Sequence, residues 1–196
     1  LKSTSQFGAE LDSFADLINF GVAPAFLLYF WELQEIKVIG WSLTMSFVLC
    51  MTIRLARFNL SIIDLKENEN NTFQKFFFTG VPAPIGAILI LTPVIITFSF
   101  DGTVITVLKN HYFISIYIIV ISILTVSKIP TFSVKHIKIP NYFDSILTFI
   151  LAIAVIFFTT RPWILIPILA LLYIFSIPIS LATYSYMYKK QKNTLI

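Results

Sequence analysis

Three carboxylates stand close together near the start of this chain, Glu10, Asp12 and Asp16, in an otherwise apolar stretch, SQFGAELDSFADLINFGVAP at residues 5–24. At about 100° per residue of helix, Gly8, Asp12 and Asp16 fall on one stripe. Ser5 and Asn19 extend that stripe by three residues at either end, and Glu10 points away from it. Two carboxylates one turn apart repel each other unless a cation holds them. Oxygen donors on a single face suit a hard divalent ion, Mg2+ or Mn2+, rather than zinc. Gly8, one turn before Asp12, leaves room for a ligand to come close. The surroundings sharpen the reading. An acid deep in a bilayer costs roughly 2.5–3.5 kcal/mol on insertion scales, so it turns to a cavity or a partner and not to lipid.

The bilayer is implied by composition. The chain has 196 residues, 57% of them apolar, with a mean hydropathy of +0.86, which no ordinary soluble domain shows. Six apolar spans, at about 14–33, 38–53, 81–100, 112–127, 142–160 and 163–183, predict an all-α polytopic membrane bundle of about six transmembrane helices, one domain over residues 1–196. Lys2, Arg54, Arg57, Lys66, Lys75, Lys128, Lys135, Lys138, Lys189, Lys190 and Lys192 fall on one side of these spans, and Lys37, Lys109 and Arg161 on the other. That imbalance places both termini and the Asp stripe of this integral membrane protein in the cytosol. It also explains the net charge of +4 without nucleic acid. Cys50, alone in an apolar run, offers no disulfide. Trp31, Trp41 and Trp163 mark outer span ends as an aromatic belt. His111 on the outer side and His136 in a basic loop have no metal-ligand company in the sequence, and the polar segment 61–76 reads as a flexible connection.

Three further clusters share the cytosolic side. RLARFN (residues 54–59) puts Arg54 and Arg57 on one face with Asn59 near the helix end, and a guanidinium fork recognises phosphate or carboxylate. FTGVPAPIG (78–86) carries Gly80, Pro82 and Pro84, a broken helix start of the kind tolerated where backbone lines a polar cavity. SKIPTFSVK (127–135) places Ser133 and Lys135 after a proline turn. Paired carboxylates beside basic side chains equip a pocket for phosphoryl transfer on an anionic lipid nucleotide. A carrier fits less well, because neither midspan charge pairs nor inverted repeats are visible.

Gly8-x3-Asp12-x3-Asp16 resembles the second half of the CDP-alcohol phosphatidyltransferase motif, D-x2-D-G-x2-A-R-x8-G-x3-D-x3-D. With RLARFN, FTGVPAP, SKIPTFSVK and YIFSIPIS (173–180), the run FGAELDSFADLINFGVAPAF is similar to the bacterial membrane-bound phosphatidylserine synthases along nearly the whole chain. The resemblance implies that serine displaces CMP from CDP-diacylglycerol, in a homodimer embedded in the lipid of a bacterial cytoplasmic membrane. It assigns Asp12 and Asp16 to the Mg2+ or Mn2+ site, gives Asp16 the proton of the attacking hydroxyl, and lets the nucleotide approach at Gly8 and Ser5. Substrate binding is expected from Asn19, Arg54, Arg57, Asn59, Ser133 and Lys135. The first half of the motif, D-x2-D-G-x2-A-R, is absent, and its arginine would fall just before Leu1. The chain therefore reads as the C-terminal part of a synthase, expected to be inactive alone. Another alcohol acceptor, or a non-catalytic membrane remnant or carrier, is the competing reading.

Overall fold

A peptide group in hydrocarbon finds no water to bond, so apolar runs of this length fold as helices or closed barrels. The computed structural model describes residues 6–67, 77–100, 102–127, 129–132 and 144–194. The bundle is built from helices α1 (Gln6–Leu17), α2 (Ala23–Trp31), α3 (Lys37–Glu67), α4 (Ala83–Ile96), α5 (Thr103–Leu108), α6 (His111–Val126), α7 (Asp144–Thr160) and α8 (Pro162–Thr194). A π turn, Ile18–Val22, joins α1 to α2, and a 3-10 turn, Leu33–Ile36, joins α2 to α3. Each of the six expected spans coincides with a helical rod. The stretches Phe7–Trp31, Leu33–Leu60 and Pro162–Thr183 are long and apolar enough to cross a membrane, and Ala83–Ile96 and His111–Val126 are shorter apolar helices.

The core lies where α2, α3, α4, α6 and α8 meet, around Leu28, Phe47, Met51, Leu89, Ile90, Ile114, Ile118, Ile121 and Ile177. The outer faces of the same helices are equally apolar. On α6, Ile116, Ile119 and Ile123 are exposed while Ile114, Ile118 and Ile121 are buried. A helix apolar all round has no water-facing side, as a membrane span requires.

Two elements differ from the sequence reading. The polar segment after the second span starts as helix. α3 runs 31 residues to Glu67, about 46 Å, because LSIIDLKE contains no glycine or proline to stop it. The other difference is a strand pair. β1 (Phe77–Thr79) and β2 (Pro130–Phe132) form an antiparallel ribbon with Phe77 opposite Phe132 and Thr79 opposite Pro130. Each strand is three residues long, too short for alternation of apolar and polar residues to announce it.

Prolines shape the helices and are answered locally. Pro24 lacks an N–H and its ring crowds the carbonyl four residues back. The ladder opens there into the π turn, in which the Ala23 N–H reaches the Ile18 carbonyl. Pro93, buried inside α4, likewise cannot serve the Leu89 carbonyl, and the Tyr117 hydroxyl on α6 donates to that carbonyl in its place. The Tyr117 bond thus depends on Pro93. Tyr117→Phe is expected to cost about 0.6–2 kcal/mol, the range of hydrogen bonds between membrane helices. In a Pro93→Ala background most of that loss should vanish, since an alanine there restores the helical N–H donor. Thermal unfolding of the four proteins in detergent measures the cycle.

Candidate functional site

The Asp stripe sits on an unbroken α-helix, as its spacing requires. Gly8, Asp12 and Asp16 all lie within α1. Gly8 and Asp12 are exposed and Asp16 is half-buried. Asn19 lies beyond the last α turn, inside the π turn, where the 100° period no longer holds. Its place on the stripe therefore cannot be taken from spacing. Ser5, Ser133 and Lys135 lie outside the described residues.

Ser13, the neighbour of Asp12, fixes where the stripe stands in the bundle. Asn59 Nδ2 on α3 donates to Ser13 Oγ at 2.9 Å, and that hydroxyl donates to the Ala9 carbonyl at 3.1 Å. Ser13 and Asn59 are equally far along the chain from Ile36, so the first span and α3 run as an antiparallel pair about that turn. Asp16 therefore comes about level with Arg57, and Arg54 lies roughly one turn deeper. Asp12, Asp16, Arg57 and Asn59 share one end of the bundle.

The three clusters picked out on that side meet there. Arg54 is buried and its Nε donates to the Val81 carbonyl. Arg57 Nη1 donates to the Val126 carbonyl at 2.6 Å, at the C-terminal, electronegative end of α6. Val81 follows β1 and Val126 precedes β2, so one face of α3 holds both roots of the ribbon. Gly80 closes it from within: its N–H donates to the Ile129 carbonyl at 2.9 Å. Gly80 has φ +79°, and a Cβ there would lie 2.6 Å from the Ser127 carbonyl oxygen. Both arginines, expected as ligands for phosphate or carboxylate, have backbone carbonyls as partners. α4 begins only at Ala83, with Pro82 before it and Pro84 in its first turn, the broken start that the sequence indicates.

Asp12 and Asp16 offer hard oxygen donors one turn apart on an accessible face, and that donor set fits a hard divalent ion of the Mg2+ or Mn2+ class. A second group of donors escaped the sequence reading. His111 has ligand company after all: its Nδ1 lies 3.1 Å from Glu32 Oε1 and its Nε2 lies 3.3 Å from Glu35 Oε2. Glu32 is buried and Glu35 exposed. Burial pushes the Glu32 carboxyl up from its ordinary range; His111 and Lys109 pull it back down, and Glu35 adds to the rise. The only signal in the sequence was that residues 32–37 and 109–111 fall in connections on the same side. From Asp16 to Glu32 the chain climbs the whole first span, about 24 Å, so this group and the Asp stripe occupy opposite ends of the bundle.

A family model described as CDP-alcohol phosphatidyltransferase matches residues 1–182. The CDP-diacylglycerol–serine O-phosphatidyltransferase of Mycobacterium leprae (strain TN) is 32% identical over 181 residues, 92% of this chain and 58% of that protein. The enzyme of the same name from Mycobacterium tuberculosis (strain ATCC 25618 / H37Rv) is 33% identical over 178 residues, 91% of this chain and 60% of its own length. That of Helicobacter pylori (strain ATCC 700392 / 26695) is 34% identical over 139 residues, 69% of this chain and 53% of that protein. The chain thus spans little more than half the length of these relatives.

Gly80→Ala is expected to destabilise the protein by about 1–3 kcal/mol from backbone strain alone, and by more as the new Cβ presses on the Ser127 carbonyl. Gly102→Ala is the control, because Gly102 also has positive φ (+77°) but nothing lies within 4 Å of a Cβ there. It should lose less. Melting temperatures in detergent give the comparison.

Proposed function

The chain belongs to the CDP-alcohol phosphatidyltransferase family, and on that premise we propose that its protein makes phosphatidylserine, transferring the phosphatidyl group of CDP-diacylglycerol to L-serine. In the proposed reaction the serine hydroxyl oxygen attacks the phosphorus that carries diacylglycerol. The bond from that phosphorus to the CMP oxygen breaks, and CMP leaves with the electron pair. A serine hydroxyl is a poor nucleophile near neutral pH, so its proton needs a positioned acceptor. The Asp16 carboxylate takes that role. Asp12 and Asp16 would hold the divalent ion, which when bound neutralises charge on the diphosphate. Gly8, with no side chain, leaves the nucleotide space beside the carboxylates.

The observation that carries this reading is the stripe itself: Gly8, Asp12 and Asp16 on one accessible helix face, level with Arg57 and Asn59. In this reading Arg57 recognises the serine carboxylate or a lipid phosphate while tied to Val126, and the buried Arg54 lies one turn deeper on the Val81 carbonyl, beneath the same anionic groups. Ser5, Asn19, Asn59, Ser133 and Lys135 complete the proposed substrate contacts. The charge bias of the connections supports a site facing the cytosol, and the bacterial relatives support a bacterial cytoplasmic membrane. The family resemblance supports a homodimer.

The test is CMP release by the full-length gene product in mixed micelles of CDP-diacylglycerol, with L-serine and Mn2+ or Mg2+. Asp16→Asn should lower kcat by about 10²–10⁴-fold, the span that a general base supplies. Release with glycerol 3-phosphate but not serine would reassign the acceptor, and no release with any alcohol would support the non-catalytic reading. Arg57→Ala should raise KM for serine or for the lipid nucleotide. Unchanged kinetics would leave Arg57 as an anchor of the ribbon only.

A further inference from the structure

At the end of the bundle opposite Asp12 and Asp16, we propose a second divalent-cation site of different chemistry, in which Glu32 and His111 bind an ion of the Zn2+ class, Glu35 backs the imidazole from its far nitrogen, and the group clamps the α2–α3 turn to the start of α6. One donor atom from each of the three residues fits within 4.8 Å of the others. The inner pair is Glu32 Oε1 and His111 Nδ1, 3.1 Å apart. Yet Nδ1 is a buried atom with no hydrogen-bond partner, so the contact is not aligned as a hydrogen bond. Its length is close to the roughly 3.3 Å edge of a tetrahedron built on Zn–N and Zn–O bonds of about 2.0–2.1 Å.

The Glu32 side chain is only 7% exposed, and a buried carboxylate needs a cation against it. Among the described residues the cationic groups near it are His111 and Lys109, and Lys109 Nζ stands over the Trp31 ring, 5.9 Å from its centre. Glu35 Oε2 lies beside Nε2 at 3.3 Å. A carboxylate on the far nitrogen is the outer partner that sets the ring of a metal-bound histidine. An imidazole among carboxylates favours zinc and its neighbours over Mg2+ or Ca2+.

The donors are held before any ion arrives. The Glu35 N–H donates to the Glu32 carbonyl at 3.4 Å, and Leu33 between them is fully buried. Asn110 caps α6 by accepting from the Tyr112 and Phe113 N–H groups, which fixes the first turn that carries His111.

The experiment uses the full-length protein in detergent, stripped with a chelator and titrated calorimetrically with Zn2+. One ion per chain should still bind when Asp12→Asn and Asp16→Asn are combined. His111→Gln should weaken binding at least tenfold, and Glu35→Gln by roughly the 10–100-fold typical of an outer partner. CMP release in Mn2+ should be unchanged by His111→Gln. Co2+ added to the unsubstituted protein should give the visible absorption of a mixed nitrogen and oxygen site, a reading that needs no variant to fold. Absence of both Zn2+ binding and the Co2+ band, or Zn2+ affinity indifferent to His111→Gln, overturns the proposal and leaves a protonated imidazole between two carboxylates. These readings hold whether or not serine proves to be the acceptor.

Discussion

Hydrocarbon leaves no backbone carbonyl without a partner, and this rule shapes the molecule more than any single packing contact. Where the helical ladder is intact the rule satisfies itself. At Pro93 and at the helix and strand ends of the ribbon, a side chain from a neighbouring helix answers. Tyr117 takes the Leu89 carbonyl that Pro93 cannot serve, and the ladder widens before Pro24. Arg54 and Arg57 take the Val81 and Val126 carbonyls at the ends of the ribbon. Irregular backbone near membrane depth is tolerable only under such cover.

The candidate site inherits its position from these answers. The arginines that hold the ribbon stand on the helix that Asn59 ties to the Asp-bearing turn. Carboxylates, guanidinium groups and the glycine-proline start of α4 are therefore one assembly and not three neighbours by chance. The two ends of the bundle carry different donors: carboxylates alone on an accessible face at one, and an imidazole between a buried and an exposed carboxylate at the other. Donor sets that differ in this way are the kind that distinguish hard from borderline cations.

Much of this was legible in the sequence. The six rods follow from apolar run length, and the Asp stripe keeps its alignment because its residues fall within one uninterrupted α-helix. RLARFN, FTGVPAP and SKIPTF stand out separately as clusters on one side of the spans, and the fold brings them to one end of α3. What they grip was not legible. Arginine on a cytosolic helix end reads as a phosphate ligand, and nothing local says that a carbonyl from a distant segment lies within its reach. The ribbon was missed because three-residue strands carry no period. The Glu32, Glu35 and His111 group was missed because His111 is far from the two glutamates in sequence and becomes their neighbour only when the α2–α3 turn packs on α6. Asn19 marks where the periodic argument stops, because it lies in the π turn and the α period ends before it.

The shortness of α6 has a consequence for the surrounding lipid. Its 16 residues reach about 24 Å, less than the hydrocarbon thickness of about 30 Å in a typical bilayer. Ile116, Ile119, Val120 and Ile123 make one flank of it greasy. Acyl chains wetting that flank have to shorten or splay, at fractions of a kcal/mol per ångström. A bilayer bordering that flank would be thinnest there, with its headgroups drawn toward the midplane beside α6.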